Sequence, residues 1–200
     1  MNCERLKGIV LCVCGMAGSG KSTLAKRIAK HYGLRYYSGG DALKVLAHER
    51  GYNICSRGWW ESREGLQFFE ERMDNLDLDR EVDRKLLELA EKGNVVLDSW
   101  TMPWLFERGF KIWLEASEEV RAGRIAERDG LRFKDALKYL REKERRTKAI
   151  YKKLYGFNLG EDLEPFHLII DVNMLNAEEV FQTVKMVIDN LLIRHGWKKL

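Results

Sequence analysis

Gly15, Gly20, Lys21 and Ser22 stand at the spacing GxxxxGKS, and their neighbours put that string where its chemistry requires it. The apolar run Ile9 to Cys14 precedes it, and a helix-like stretch from Thr23 to Lys30 follows. In a strand, loop, helix setting the glycines let successive backbone N–H groups turn inward on phosphate oxygens, and the helix adds the positive end of its dipole. Lys21 then reaches the β- and γ-phosphates of a nucleoside triphosphate, and the Ser22 hydroxyl sits on Mg²⁺. The triphosphate-binding set read from this loop is Gly15, Gly18, Ser19, Gly20, Lys21, Ser22 and Thr23.

Asp98 ends the apolar stretch Val95-Val96-Leu97. An acid there holds Mg²⁺ directly or through water in phosphate-loop proteins; the other reading is a strand-terminal acid that caps the next turn. The guanine-reading string Asn-Lys-x-Asp does not occur, which argues against a molecular switch. Arg121, Arg124 and Arg128 repeat at three and four, so their guanidinium groups share one helix face, suited to bridging phosphates. Pairing with Glu118, Glu119 and Glu127 is the structural alternative. Further on, Arg141 to Lys148 has no apolar side chain over more than two helical turns. Such a segment has no stripe with which to pack on the core. With Leu137 and Leu140 before it and Ile150, Tyr151 and Leu154 after it, the expectation is a projecting lid anchored at both ends.

Positioning these groups requires alternating strands and helices. Strands are expected at Ile9 to Cys14, Leu34 to Tyr37, Asn94 to Asp98, Phe110 to Leu114 and His167 to Ile170. Helices are expected at Thr23 to Lys30, Asp41 to Arg50, Ser62 to Met73, Arg80 to Glu91, Glu118 to Asp129, Phe133 to Tyr155 and Glu178 to His195. Nearly all-apolar strands alternating with helices give an α/β fold: a five-stranded parallel sheet with helices on both faces, three layers in all. Ligands in such sheets sit at the carboxyl ends of the strands. The phosphate loop, Ser38-Gly39-Gly40-Asp41 and Asp98-Ser99-Trp100-Thr101 should therefore line one cleft. Asp41 reads equally as a ligand and as a cap or first-turn acid of its helix.

Two hundred residues suit one domain with a sizeable core. No apolar run reaches membrane-spanning or signal-peptide length, so a cytoplasmic protein is expected, a monomer with a dimer left open. Cys12 and Cys14 share one face of the first strand and read as buried free thiols, since no second cysteine pair or nearby histidine completes a metal site. The net charge of +4 is mild but uneven. Glu61 to Asp83 carries nine acids against three arginines, whereas Lys138 to Lys153 carries eight Lys or Arg against two Glu. Solvated helix faces are the ordinary fate of such runs.

Taken in order, the phosphate loop, Ser38-Gly39-Gly40-Asp41, Asp77 to Asp83, Val95 to Asp98, Lys111-Ile112-Trp113-Leu114, Arg121-x-x-Arg124-Ile125-x-x-Arg128 and Tyr151-Lys152-Lys153-x-Tyr155-Gly156 resemble archaeal-type cytidylate kinases from about residue 8 to 192. Arg124 and Arg128 also match the lid-entry arginines of nucleoside monophosphate kinases in general. The resemblance implies a phosphate-loop kinase fold with a core over about 1–37, 93–128 and 151–200, an NMP-binding insertion over about 38–92 and a lid over about 129–150. It implies ATP as donor with Mg²⁺, and transfer of the γ-phosphate to CMP or dCMP without a covalent enzyme intermediate. On this basis Lys21, Arg124 and Arg128 are the catalytic groups and Arg124 also contacts ATP. Ser38, Gly39, Asp41, Lys44, Asp98, Trp100 and Arg145 bind the acceptor, and Ser22 and Asp98 hold the metal.

The acceptor half departs from the family pattern. Lys44 and Trp100 stand where arginines are expected, Ala149 and Ile150 replace two more, with Arg145 and Arg146 a turn earlier, and Ser56 to Glu61 looks like extra sequence. Trp59, Trp60, Trp100 and Trp104 are candidates to stack on a base, or to pack in the core. The acidic run offers a partner for the exocyclic amine of cytosine without singling out one residue. A related kinase acting on another nucleotide, a nucleoside or a metabolite is the main competing reading. A nucleic-acid-acting kinase or NTPase using residues 138–153 is the third, weakened by the mild charge and the acidic run beside the same cleft.

Overall fold

The computed structural model describes residues 8–55 and 58–194. Five strands, β1 (Val10–Gly15), β2 (Arg35–Ser38), β3 (Val95–Asp98), β4 (Phe110–Glu115) and β5 (Leu168–Asp171), pair in parallel in the order β2-β3-β1-β4-β5. Around them lie α1 (Lys21–Tyr32), α2 (Gly39–Glu49), α3 (Arg63–Asp74), α4 (Asp77–Lys92), α5 (Met102–Leu105), α6 (Glu118–Asp129), α7 (Phe133–Tyr155) and α8 (Ala177–Arg194). The expected α/β architecture is thus present. Met1 to Lys7, Ser56, Arg57 and His195 lie outside the described residues.

Alternate side chains of β1 feed two cores, as period-two geometry requires. Leu11 and Val13 pack with Leu24, Ile28, Val184 and Ile188 of α1 and α8. Val10 and Cys12 face Leu43, Leu78, Val82 and Leu86 of α2 and α4. Cys12 and Cys14 are fully buried free thiols, as read from their spacing, and burial pushes the Cys12 thiol up to about 12 and Cys14 higher still. Neither forms a thiolate at neutral pH.

Register sets the cleft. Asp98 lies opposite Val13 on one side and Ser38 on the other, so the ends of β1, β2 and β3 finish at one level. Ser38 rather than Asp41 caps α2: its Oγ accepts the Asp41 N–H at 3.1 Å, and Asp41 sits in the first turn. Likewise Ser62 accepts the Gly65 N–H at 3.1 Å and starts α3.

The 141–148 segment does not project. Glu144 and Thr147 are buried, and α7 packs along α6 and α3. The physical reason is a charge pair invisible to an apolar-stripe argument: Glu144 accepts from both Nη atoms of Arg121, itself 5% exposed. Arg121 also donates through Nε to the Ala116 carbonyl at 2.9 Å and through Nη1 to the Ala17 carbonyl at 3.1 Å.

Candidate active site

The loop between β1 and α1 is built on backbone that side chains would obstruct. Gly15 has φ 147°, and a Cβ there would meet the Leu114 carbonyl and Ser19 Oγ, each at 2.6 Å. Gly18 has φ 80°, and its Cβ would stand 2.6 Å from the Arg121 carbonyl oxygen. Arg121 thus supports the loop from behind and is not available to a phosphate, unlike the reading that put it on a phosphate-bridging face. Arg124 does turn toward the loop, donating to the Ser19 carbonyl at 3.3 Å and to the Val172 carbonyl at 2.8 Å.

Two cavities meet at this loop. One, of roughly 410 Å³, is lined by Gly18, Ser19, Gly20, Lys21, Ser22 and Thr23, and by Arg124 and Arg128 of α6. Ser19 Oγ is buried there without a hydrogen-bond partner among the described residues. An orphaned hydroxyl inside a glycine cradle fits a ligand that brings its own acceptor oxygens, as a polyphosphate does.

The second cavity, of roughly 230 Å³, shares Gly18, Lys21, Ser22 and Arg128 with the first. Its walls include Ser38, Gly39, Asp41, Lys44, Asp98 and Trp100, all expected from sequence. Asp98 is 3% exposed and accepts the Tyr36 hydroxyl at 3.0 Å. The Ser22 hydroxyl and the Asp98 carboxylate therefore line one space. Among the described residues no group of three or more His, Cys, Asp or Glu converges on a common point. One hydroxyl and one carboxylate suit Mg²⁺, which keeps several waters and takes its other ligands from substrate phosphates.

Arg145 is not brought to this cleft. It donates to Glu142 at 2.8 and 3.1 Å on the outer side of α7, where it lines a separate surface hollow with Lys134, Lys138 and Arg141. The helical phase explains the correction. Glu144 and Thr147 face inward, which turns Arg145 out, and Arg146 reaches Glu142 at 2.6 Å and the Leu66 carbonyl of α3 instead.

The tryptophans divide. Trp59 is 1% exposed and packs on Phe68, while Trp104 stacks on Phe157 with centroids 4.0 Å apart, so both serve the core. Trp60 and Trp100 line the second cavity. Trp100 donates its indole N–H to the Gly15 carbonyl at 2.6 Å and lies 5.3 Å from Lys21 Nζ.

Several wall residues were not singled out by the sequence, which offered the acids of the 61–83 run without choosing among them. Arg72 and Asp79 form a buried two-point pair at 3.0 and 2.7 Å, and both line the second cavity. Beside them, burial raises the Asp83 carboxyl to about 6 even though Thr101 and Tyr155 donate hydroxyls to it. Phe69, Lys143 and Tyr151 complete that wall. One signal was present: Asp79 and Asp83 share the helical stripe of Leu78, Val82 and Leu86, where a solvated acid does not belong.

Comparison with known proteins agrees with this geometry. The profile of the "cytidylate kinase-like family" matches residues 10–174. A curated "cytidylate kinase" of Pyrococcus horikoshii is 37% identical over 184 residues, covering 92% of this chain and 90% of that protein. One from Methanopyrus kandleri is 33% identical over 197 residues, covering 93% and 96%. Among solved structures, shikimate kinase from Acinetobacter baumannii superposes with a TM-score of 0.54 at 19% identity, over 92% of this chain and 93% of that one. The protein TT1252 from Thermus thermophilus does so with 0.55 at 22%, over 92% and 98%. At those identities the structural likeness speaks for the fold alone. With the phosphate loop, the paired cavities and these relatives in agreement, the chain belongs to the cytidylate kinase-like family of nucleoside monophosphate kinases.

Proposed function

We propose that the protein transfers the γ-phosphate of ATP, with Mg²⁺, to the phosphate of a pyrimidine nucleoside monophosphate, CMP or dCMP. One observation carries the reading: two cavities abut across Lys21, Ser22 and Arg128, so a donor in one and an acceptor in the other present phosphates to the same cations. The acceptor's anionic phosphate oxygen attacks the γ-phosphorus, the bond to the β-phosphate oxygen breaks, and ADP and a diphosphate product leave. The nucleophile is already ionised, so no general base is required. Lys21, Arg124 and Arg128 stabilise the charge spread over the transferring group, and Trp60, Trp100 and the closed wall of α7 exclude water. Ser22 and Asp98 would hold Mg²⁺, which supplies further charge neutralisation at the phosphates. In this scheme Lys44 replaces an arginine at the acceptor phosphate, with one ammonium in place of a two-pronged guanidinium.

The corresponding division of the chain is a core over about 1–37, 93–128 and 151–200, an acceptor-binding part over about 38–92 and a lid over about 129–150, in a protein working in the cytoplasm. Names of relatives at 33–37% identity support cytidylate as the acceptor. Trp100, in place of a charged group, is the observation that favours a different small acceptor. ADP release measured with ATP and a panel of CMP, dCMP, UMP, AMP and nucleosides separates the two. Turnover highest with CMP or dCMP is expected; no turnover of either at millimolar concentration rejects the reading.

A further inference from the structure

Of the acids in the 61–83 run, Asp83 has a setting of its own. It lines the second cavity at 6% exposure, and both of its hydrogen bonds come from neutral hydroxyls: Thr101 to Oδ1 at 2.5 Å and Tyr155 to Oδ2 at 2.7 Å. Thr101 directs its proton at Asp83, so the Ser99 hydroxyl, 3.0 Å away, donates to Thr101. Ser99 Oγ in turn accepts the backbone N–H groups of Thr101 and Met102 at 3.1 and 3.3 Å. The proton directions of the network are therefore fixed, and an ionised Asp83 within it only accepts. A carboxylate offers about four lone-pair sites, and two hydrogen bonds leave others for a ligand.

The neighbouring charge does not compete for them. Arg72 is held by Asp79 in the two-point pair, which leaves Asp83 a buried anion served only by hydroxyls. Trp60 and Phe69, with centroids 5.3 Å apart, supply aromatic faces in the same cavity. A planar group with an N–H donor on its edge matches this combination.

We propose that Asp83 reads the acceptor's base, taking the exocyclic amine of cytosine as its donor and rejecting uracil, whose carbonyl at that position would set acceptor against acceptor. The assignment rests on the reading of the protein as a kinase of pyrimidine monophosphates, and it makes Asp83 the residue that chooses between them. Thr101 and Tyr155 are positioning residues that aim the carboxylate.

The test compares kcat/KM for CMP and UMP in the wild type and in Asp83→Asn, whose amide donates where the carboxylate accepts. Loss of a hydrogen bond to a charged acceptor corresponds to about a 10- to 100-fold fall for CMP. A rise for UMP accompanies it, so the CMP-to-UMP ratio moves by about 100-fold or more. CMP turnover with an unchanged ratio in the variant overturns this assignment and leaves the proposed function standing, whereas no CMP turnover in the wild type overturns both. If Asp83→Asn does not fold, the wild type is assayed with a CMP analogue bearing hydrogen in place of the amine. A fall of about 10-fold or more relative to CMP supports the proposal, and equal use of the two overturns it.

Discussion

The indole N–H of Trp100 donates to the carbonyl of Gly15 at 2.6 Å, tying the segment after β3 to the first residue of the phosphate loop. The same ring lies 5.3 Å from Lys21 Nζ, close enough for the π face to attract the ammonium. A residue that reads in sequence as a lost arginine thus couples the wall of the second cavity to the phosphate loop.

Trp100→Phe keeps an aromatic face near Lys21 and removes the tie to Gly15. It is expected to lower kcat by about 5- to 10-fold, the value of one hydrogen bond, with a smaller change in the KM for ATP. Trp100→Ala is expected to lose more than Trp100→Phe. Steady-state kinetics of the two variants give the comparison, and equal rates in both would show that the ring has no part in placing Lys21.

Arg121 and Arg124, three residues apart on α6, should fail in different ways. Arg121→Ala leaves Glu144 buried and uncompensated, a loss of about 3 kcal/mol or more. In a chain of this length that lowers Tm by about 10 °C. Arg124→Ala is expected to leave Tm within a few degrees and to cut kcat by about 100-fold, as a cation at the transferring phosphate is lost. Thermal melts and ADP release on both variants suffice, and a large Tm loss in Arg124→Ala alone would reverse the assignment.

Why Arg124 lies at the loop cavity as expected, whereas Arg121 is turned behind the loop, is a matter of range. The phosphate loop was legible because its glycines, lysine and serine act within eight residues, and β1 and α1 announce themselves by local apolar pattern. The strand ends were legible for the same reason, and they placed Ser38, Asp98 and Trp100 on one cleft. Arg121 was misread because its partner, Glu144, lies 23 residues away on another helix, and that pair helps to seat a segment with no apolar side chain against the core. Once α7 is seated that way, Arg145 must face out. Asp79 and Asp83 carried a faint mark, acids on an apolar stripe, that the net charge of the run obscured.

Asp83 gives a prediction in pH. Thr101, Tyr155, Asp79 and Arg72 surround it, and burial raises its carboxyl from 3.8 to about 6. The native state therefore holds this proton to a higher pH than the unfolded chain, and stability falls as pH rises from about 4 to about 6. The contribution is about 3 kcal/mol when complete. Asp83→Asn has no such proton, so wild-type stability relative to the variant should drop across that window. Urea unfolding of both proteins at several pH values measures the difference, and a constant gap would contradict the buried anion.

Lys21→Ala removes the ammonium shared by both cavities. Turnover is expected to fall by about 100-fold or more while the circular dichroism spectrum and Tm stay close to wild type, because Lys21 is part-exposed and packs no core. Near-full turnover would move the donor site elsewhere.

The central claim, phosphoryl transfer between two substrates held on either side of Lys21, is tested most directly by following wild-type protein with ATP, Mg²⁺ and CMP by phosphorus NMR. The account predicts ADP and CDP appearing in equal amounts with no free phosphate. ADP accompanied by inorganic phosphate, without CDP or any other phosphorylated acceptor, would contradict it.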